Sequence, residues 1–195
     1  MNLFSSSLLI FVCDALSLNR DDTLFPTSVA VASGAEQTHL SPTDIRNMGK
    51  AAYSVMVKYI DTFGAQNVYI VTNAMEQWVV HSMREMSRVY RAHCAQNPTT
   101  YGVHGDCYGA LLQLITKMGI QVISAQALHA KEHPQQPTMW KTLVFKKVIK
   151  EHWKLQSSKD HQIYRIISIG DSQCEFEAAV EAKSMCSDCS PDDLL

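Results

Sequence analysis

Four short, largely apolar runs, separated by longer stretches of helical periodicity, constrain this chain more than any other feature. Leu8-Leu9-Ile10-Phe11-Val12-Cys13 is continuous in apolar residues, the pattern of a strand covered on both faces. Residues 68–71, 121–124 and 163–169 supply the other three runs. Between them, Ser41-Pro42-Thr43-Asp44 opens a helix with a capping hydroxyl, an early proline and an early acid. Ile45, Met48, Ala52, Val55, Met56, Tyr59, Ile60 and Phe63 then keep helical spacing, and Gly64 is a stop. The patterns predict further helices over 75–94, 108–118, 140–154 and 175–182. Strands alternating with helices predict an α/β domain, with a parallel sheet covered on both faces.

The remaining segments read as connections. Residues 29–39 are a loop or a short helix, and 131–138, with two prolines and two glutamines, a loop. Residues 96–106 are rich in turn formers and form the best candidate for a mobile loop. Met185-Cys186 is read as the start of a last strand.

Length and charge narrow the function. A chain of 195 residues fits one domain, residues 1–195, with a sizeable core. Seventeen basic against nineteen acidic residues give a net charge of −2, so no global field recruits nucleic acid or an anionic membrane. Lys141, Lys146, Lys147, Lys150 and Lys154 make one helix basic, but no aromatic platform for nucleic acid accompanies them. No apolar run approaches the roughly 20 residues of a membrane helix. Residues 3–18 are mostly apolar but lack the basic start of a signal peptide. The six cysteines are scattered through a chain too long to need disulfide staples, which points to reduced thiols and a cytoplasmic location.

Several weaker patterns were weighed. Cys186-Ser187-Asp188-Cys189 lacks the second pair or the nearby histidines that a zinc site needs. His129-Ala130-Lys131-Glu132-His133 has zinc-binding spacing for a helix, but Pro134 follows at once and the segment reads as loop. Trp78, Trp140 and Trp153 read as packing residues.

The chemistry gathers at strand ends. Asp21-Asp22-Thr23, Thr72-Asn73, Lys141 at a helix start, and Asp171 with Glu175 all follow or flank strands. In adjacent parallel strands these groups share one rim, where open α/β sheets bind ligands. Carboxylates there suit Mg2+, a hard cation that takes a few carboxylates plus water and phosphate oxygens. A lysine neutralises a phosphoryl oxygen as a point charge, and a threonine hydroxyl can donate to the same group.

In this order the segments resemble the haloacid dehalogenase (HAD) superfamily of phosphohydrolases. The likeness rests on Asp21-Asp22-Thr23-Leu24-Phe25-Pro26-Thr27-Ser28, Val71-Thr72-Asn73-Ala74 with Trp78-Val79, Trp140-Lys141 with Phe145, and Ser168-Ile169-Gly170-Asp171-Ser172. It resembles most a branch reading DWDDTL, PTS, VTNA, WK and SIGDS, and it covers nearly the whole chain; residues 96–106 look like an addition. The resemblance implies a HAD-like, Rossmann-type sheet with little or no cap domain. It implies Mg2+-dependent hydrolysis of a phosphate monoester through an aspartyl-phosphate, on a small phosphorylated substrate or a phosphoprotein. Asp21 becomes the general acid/base, Thr72 and Lys141 the phosphate-binding groups, and Asp171 and Glu175 metal acids.

The first motif departs from that pattern. Counted back two from Asp21, the nucleophile's place holds Asn19, a poor nucleophile and a neutral metal ligand. In a second register Asp14 ends the strand as nucleophile and metal ligand, with Asp21 also at the metal, and six residues stand where the family has one. The apolar strand that ends in Asp14 favours the second register. Either register interrupts the motif, so two functions are expected: a HAD-type phosphohydrolase of impaired activity, or a catalytically silent relative kept as a binding or interaction protein.

Overall fold

The computed structural model describes residues 7–13, 41–96, 105–156, 165–170 and 173–188. In chain order these form β1 (Ser7–Cys13), α1 (Pro42–Phe63), β2 (Val68–Thr72), α2 (Glu76–Gln96), α3 (Cys107–Met118), β3 (Gln121–Ser124), α4 (Ala125–His129), α5 (Pro137–Gln156), β4 (Arg165–Ile169) and α6 (Gln173–Asp188). The four strands make one parallel sheet in the order β3-β2-β1-β4. The chain is therefore an α/β protein.

The central strand β2 shows how the sheet is covered. All five of its residues are buried, as a strand packed on both faces requires. Its side chains alternate between two clusters. Val68 and Ile70 pack with Ile45, Met56 and Ile60 of α1, Met83 and Met86 of α2, and Leu111 of α3. Tyr69 and Val71 pack with Ala125 of α4, Trp140, Val144 and Phe145 of α5, and Ala178 of α6. One face thus carries α1, α2 and α3, and the other carries α4, α5 and α6.

Local signals set the helix limits. Ser41 caps α1 through a reciprocal capping box with Asp44, with Pro42 as the first helical residue. Asp106 caps α3: its carboxylate accepts from the Gly109 amide at 2.9 Å, the Ser87 hydroxyl at 2.7 Å and Arg91 at 2.6 Å. Gly64 and Gly119 close α1 and α3 at φ of 83° and 66°, a region that favours glycine.

Three expectations are corrected. Met185-Cys186 does not begin a strand but continues α6 to Asp188; an apolar pair is too short to separate the two periods. The loop expected over 131–138 ends early, because α5 begins at Pro137. Proline in the first helical position is a start signal rather than a break. The segment before it is partly helical, since Ser124 caps α4 by accepting from the Ala127 amide at 3.0 Å. The expected loop or short helix over 29–39 and most of the loop over 96–106 lie outside the described residues; Gln96 ends α2 and Asp106 caps α3. Among the described residues no helix is long and apolar enough to cross a membrane.

Candidate active site

The topology itself selects a rim. The connection leaving β1 leads to α1 on one face, and the chain leaving the neighbouring β4 leads to α6 on the other. Adjacent parallel strands whose connections diverge in this way open a crevice at their C-terminal ends, where ligands of open α/β sheets bind. Cys13 at the end of β1 lies in register with Thr72 of β2, and Thr72 with Ser124 of β3. β4 ends at Ile169, followed by Gly170.

Lys141 and Glu175 are the most informative pair on this side of the sheet. Each lies near the start of its helix, in α5 and α6. Lys141 is 0% exposed and Glu175 3%, and the Lys141 ammonium donates to Oε1 of Glu175. Further along, Lys146 pairs with Glu181 at 2.6 Å near the surface. The two ion pairs ascend both helices together, so α5 and α6 run in the same direction, as crossover helices on one face of a parallel sheet do. Lys141 is thus not part of a solvated basic face; Lys147 and Lys150 are. Desolvating two charges costs several kcal/mol per ion, and the pair's own attraction often fails to recover it. A fully buried lysine, with Thr72, Thr142 and Glu175 also buried, is therefore a candidate functional group.

Glu175 is held in place by the end of β4. A Cβ at position 170 would lie 2.5 Å from Cγ and 2.8 Å from Cβ of Glu175, inside any tolerable contact. The Glu175 side chain therefore packs directly over Gly170, and Lys141 binds that side chain. Gly170→Ala is expected to displace Glu175 and to destabilise the protein by about 1–3 kcal/mol, the usual range for overpacking. Urea unfolding checks this; an unchanged midpoint would contradict the contact.

Thr72 is fully buried at the end of β2. Its Oγ1 accepts from the Ala74 amide at 3.0 Å. That bond uses an oxygen lone pair, so the hydroxyl hydrogen can still be donated toward the rim. The backbone turn after β2 thereby fixes the Thr72 hydroxyl oxygen.

Of the site residues expected from the sequence, Thr72, Lys141 and Glu175 are described, and Lys141 and Glu175 meet directly. Asp14, Asn19, Asp21 and Asp171 lie outside the described residues, as does Cys189. Among the described residues, no three His, Cys, Asp or Glu side chains form a group able to hold a metal ion. Two features escaped the sequence reading. Gly170 acts through close packing, which its residue type alone hints at. The Trp140 indole donates to the His133 carbonyl at 2.5 Å and anchors the start of α5, a contact across the sequence that no local pattern encodes.

No protein-family model, no curated protein and no solved structure matches this chain.

Proposed function

We propose that the rim between β1 and β4 is a phosphoryl-binding site of the HAD type, and that the chain is a Mg2+-dependent phosphohydrolase with an impaired first motif. The observation that carries this reading is the buried Lys141, secured by Glu175 over Gly170 beside the crevice that the strand order opens. The end of β1 at Cys13 supports Asp14, the next residue in sequence, as nucleophile in preference to Asn19.

The roles follow from the chemistry of each group. The Asp14 carboxylate attacks phosphorus, and the ester bond to the leaving oxygen breaks. Asp21 protonates that oxygen, then takes a proton from the water that releases phosphate from the aspartyl ester. The Thr72 hydroxyl donates to a phosphoryl oxygen, and the Lys141 ammonium balances the charge that develops there. Asp14, Asp21, Asp171 and Glu175 offer hard oxygen donors, a set that suits Mg2+. Because one Glu175 oxygen is bound by Lys141, this acid orients the lysine rather than ligating directly through that oxygen. When bound, Mg2+ supplies charge neutralisation at the phosphoryl group. A cytoplasmic setting and a small phosphorylated substrate or a phosphoprotein fit this reading.

A specific feature favours a second reading, a catalytically silent binding protein built on the same rim. The six residues 15–20 separate the two acids that must act on one phosphorus. Hydrolysis of an aryl phosphate with Mg2+ separates the readings. Slow turnover is expected, lost in Asp14→Asn; no turnover above the Asp14→Asn background would favour the silent module.

A further inference from the structure

We infer that His129 and His133 form a binding site for a divalent transition-metal ion, Zn2+ in the first place, with the Gln126 amide oxygen as a third donor. The site lies beyond the C-terminal end of β3 and shares no residue with the proposed phosphoryl site. In the sequence alone, Pro134 directly after the pair makes the segment read as a loop.

Gln126 and His129 stand three apart on one ridge of α4, where such side chains are neighbours. The Ala130 amide donates to the Gln126 carbonyl at 2.9 Å and closes that helix. Beyond it, the His133 amide donates to the His129 carbonyl at 2.9 Å, a single turn of helical span that returns His133 beside the end of the ridge. The Trp140 indole holds the His133 carbonyl from α5, which fixes the turn before any ion arrives.

Two polar atoms on this ridge are unsatisfied. Nε2 of His129 and Oε1 of Gln126 are buried without a hydrogen-bond partner. Such orphans are uncommon in folded proteins and call for a ligand or a cost. Burial is the main cause holding the His129 imidazole below its usual protonation range; His133 and Lys147 of α5 push the same way and Glu132 opposes them. The unpartnered Nε2 is the atom through which a neutral imidazole would bind a metal. Imidazole nitrogen suits Zn2+, Ni2+ and Co2+, not the oxygen-seeking Mg2+. Two nitrogens and one amide oxygen leave a tetrahedral position for water, the pattern of an open zinc site.

Cobalt titration of the full chain, followed by competition with Zn2+, tests the assignment. Co2+ should bind with a spectrum of nitrogen and oxygen ligation, and Zn2+ should displace it. His129→Gln and His133→Gln should each weaken Zn2+ binding by at least about tenfold, a loss that even an outer-shell partner can cause. His133→Cys should retain binding and add a sulfur-to-cobalt charge-transfer band, which separates loss of a ligand from loss of fold. Absence of Zn2+ binding at micromolar concentration would overturn the assignment. So would glutamine variants that bind like the unmodified chain with a thiolate spectrum, which would move the metal to cysteines. A His133→Cys variant that binds no better than His133→Gln would count against it equally.

Discussion

Lys141→Met is expected to destabilise the protein by about 3–5 kcal/mol, the cost of leaving a buried charge without its partner. Methionine nearly matches the length of the lysine stem, so the loss reports the charge rather than a cavity. Glu175, 3% exposed, then loses the ammonium that its Oε1 accepts from. A second change, Glu175→Met, should recover most of the loss, because a buried pair replaced by apolar side chains is often neutral in stability. Urea unfolding of the two single variants and the double variant closes the cycle. Additive losses would mean that the pair is not coupled, and would remove the main reason for placing a lysine at the rim. Recovered stability without function in the double variant would fit a pair retained for the site rather than for the fold.

Removal of residues 15–19 is expected to raise aryl phosphate hydrolysis by at least about 100-fold, the lower end of what a positioned general acid/base supplies. The shortened chain reads Asp14-Arg20-Asp21-Asp22-Thr23, with the two acids again two positions apart. Nucleophile and acid must both reach one phosphoryl group, and the attacking atom must come within about 3–3.5 Å. Five extra residues can span well over 10 Å at about 3.3 Å each when extended, enough to part the two carboxylates. Asp14→Asn in the shortened chain is the control and should abolish the gain. A shortened protein that folds but stays inactive would instead point to Asn19 as the substituted nucleophile. Full activity in the unmodified chain, lost on Asp14→Asn, would show that the extra residues leave both acids in reach.

Much of the fold was legible because its signals are local. The run that forms β2 is apolar throughout, and the spacing from Ile45 to Phe63 marks the buried face of α1. Ser41, Pro42 and Asp44 fix the start of that helix by bonds within four residues. The failures came where the signal is ambiguous or distant. Pro137 looked like a loop residue and is the first residue of α5. Met185 and Cys186 looked like a strand and continue α6, since a lone apolar pair has no period. At the site, residue type and order marked Lys141 and Glu175 individually. Their direct contact was not legible, because it joins residues 34 positions apart on two different helices. The packing of Glu175 over Gly170 was hidden for a related reason: sequence gives the absence of a side chain but not what fills the space.

The central claim is that the rim binds a phosphoryl group through Thr72 and Lys141. Calorimetric titration with orthovanadate in the presence of Mg2+ tests it most directly, because binding needs no turnover. Thr72→Val keeps the shape of a fully buried side chain and removes the hydroxyl, with the bond it accepts from the Ala74 amide. Vanadate should bind the unmodified chain, and binding should fall by about tenfold in Thr72→Val, the loss of one hydrogen bond to a charged group. Vanadate binding of equal strength in Thr72→Val and Lys141→Met, or none in the unmodified chain, would contradict a phosphoryl site at this rim.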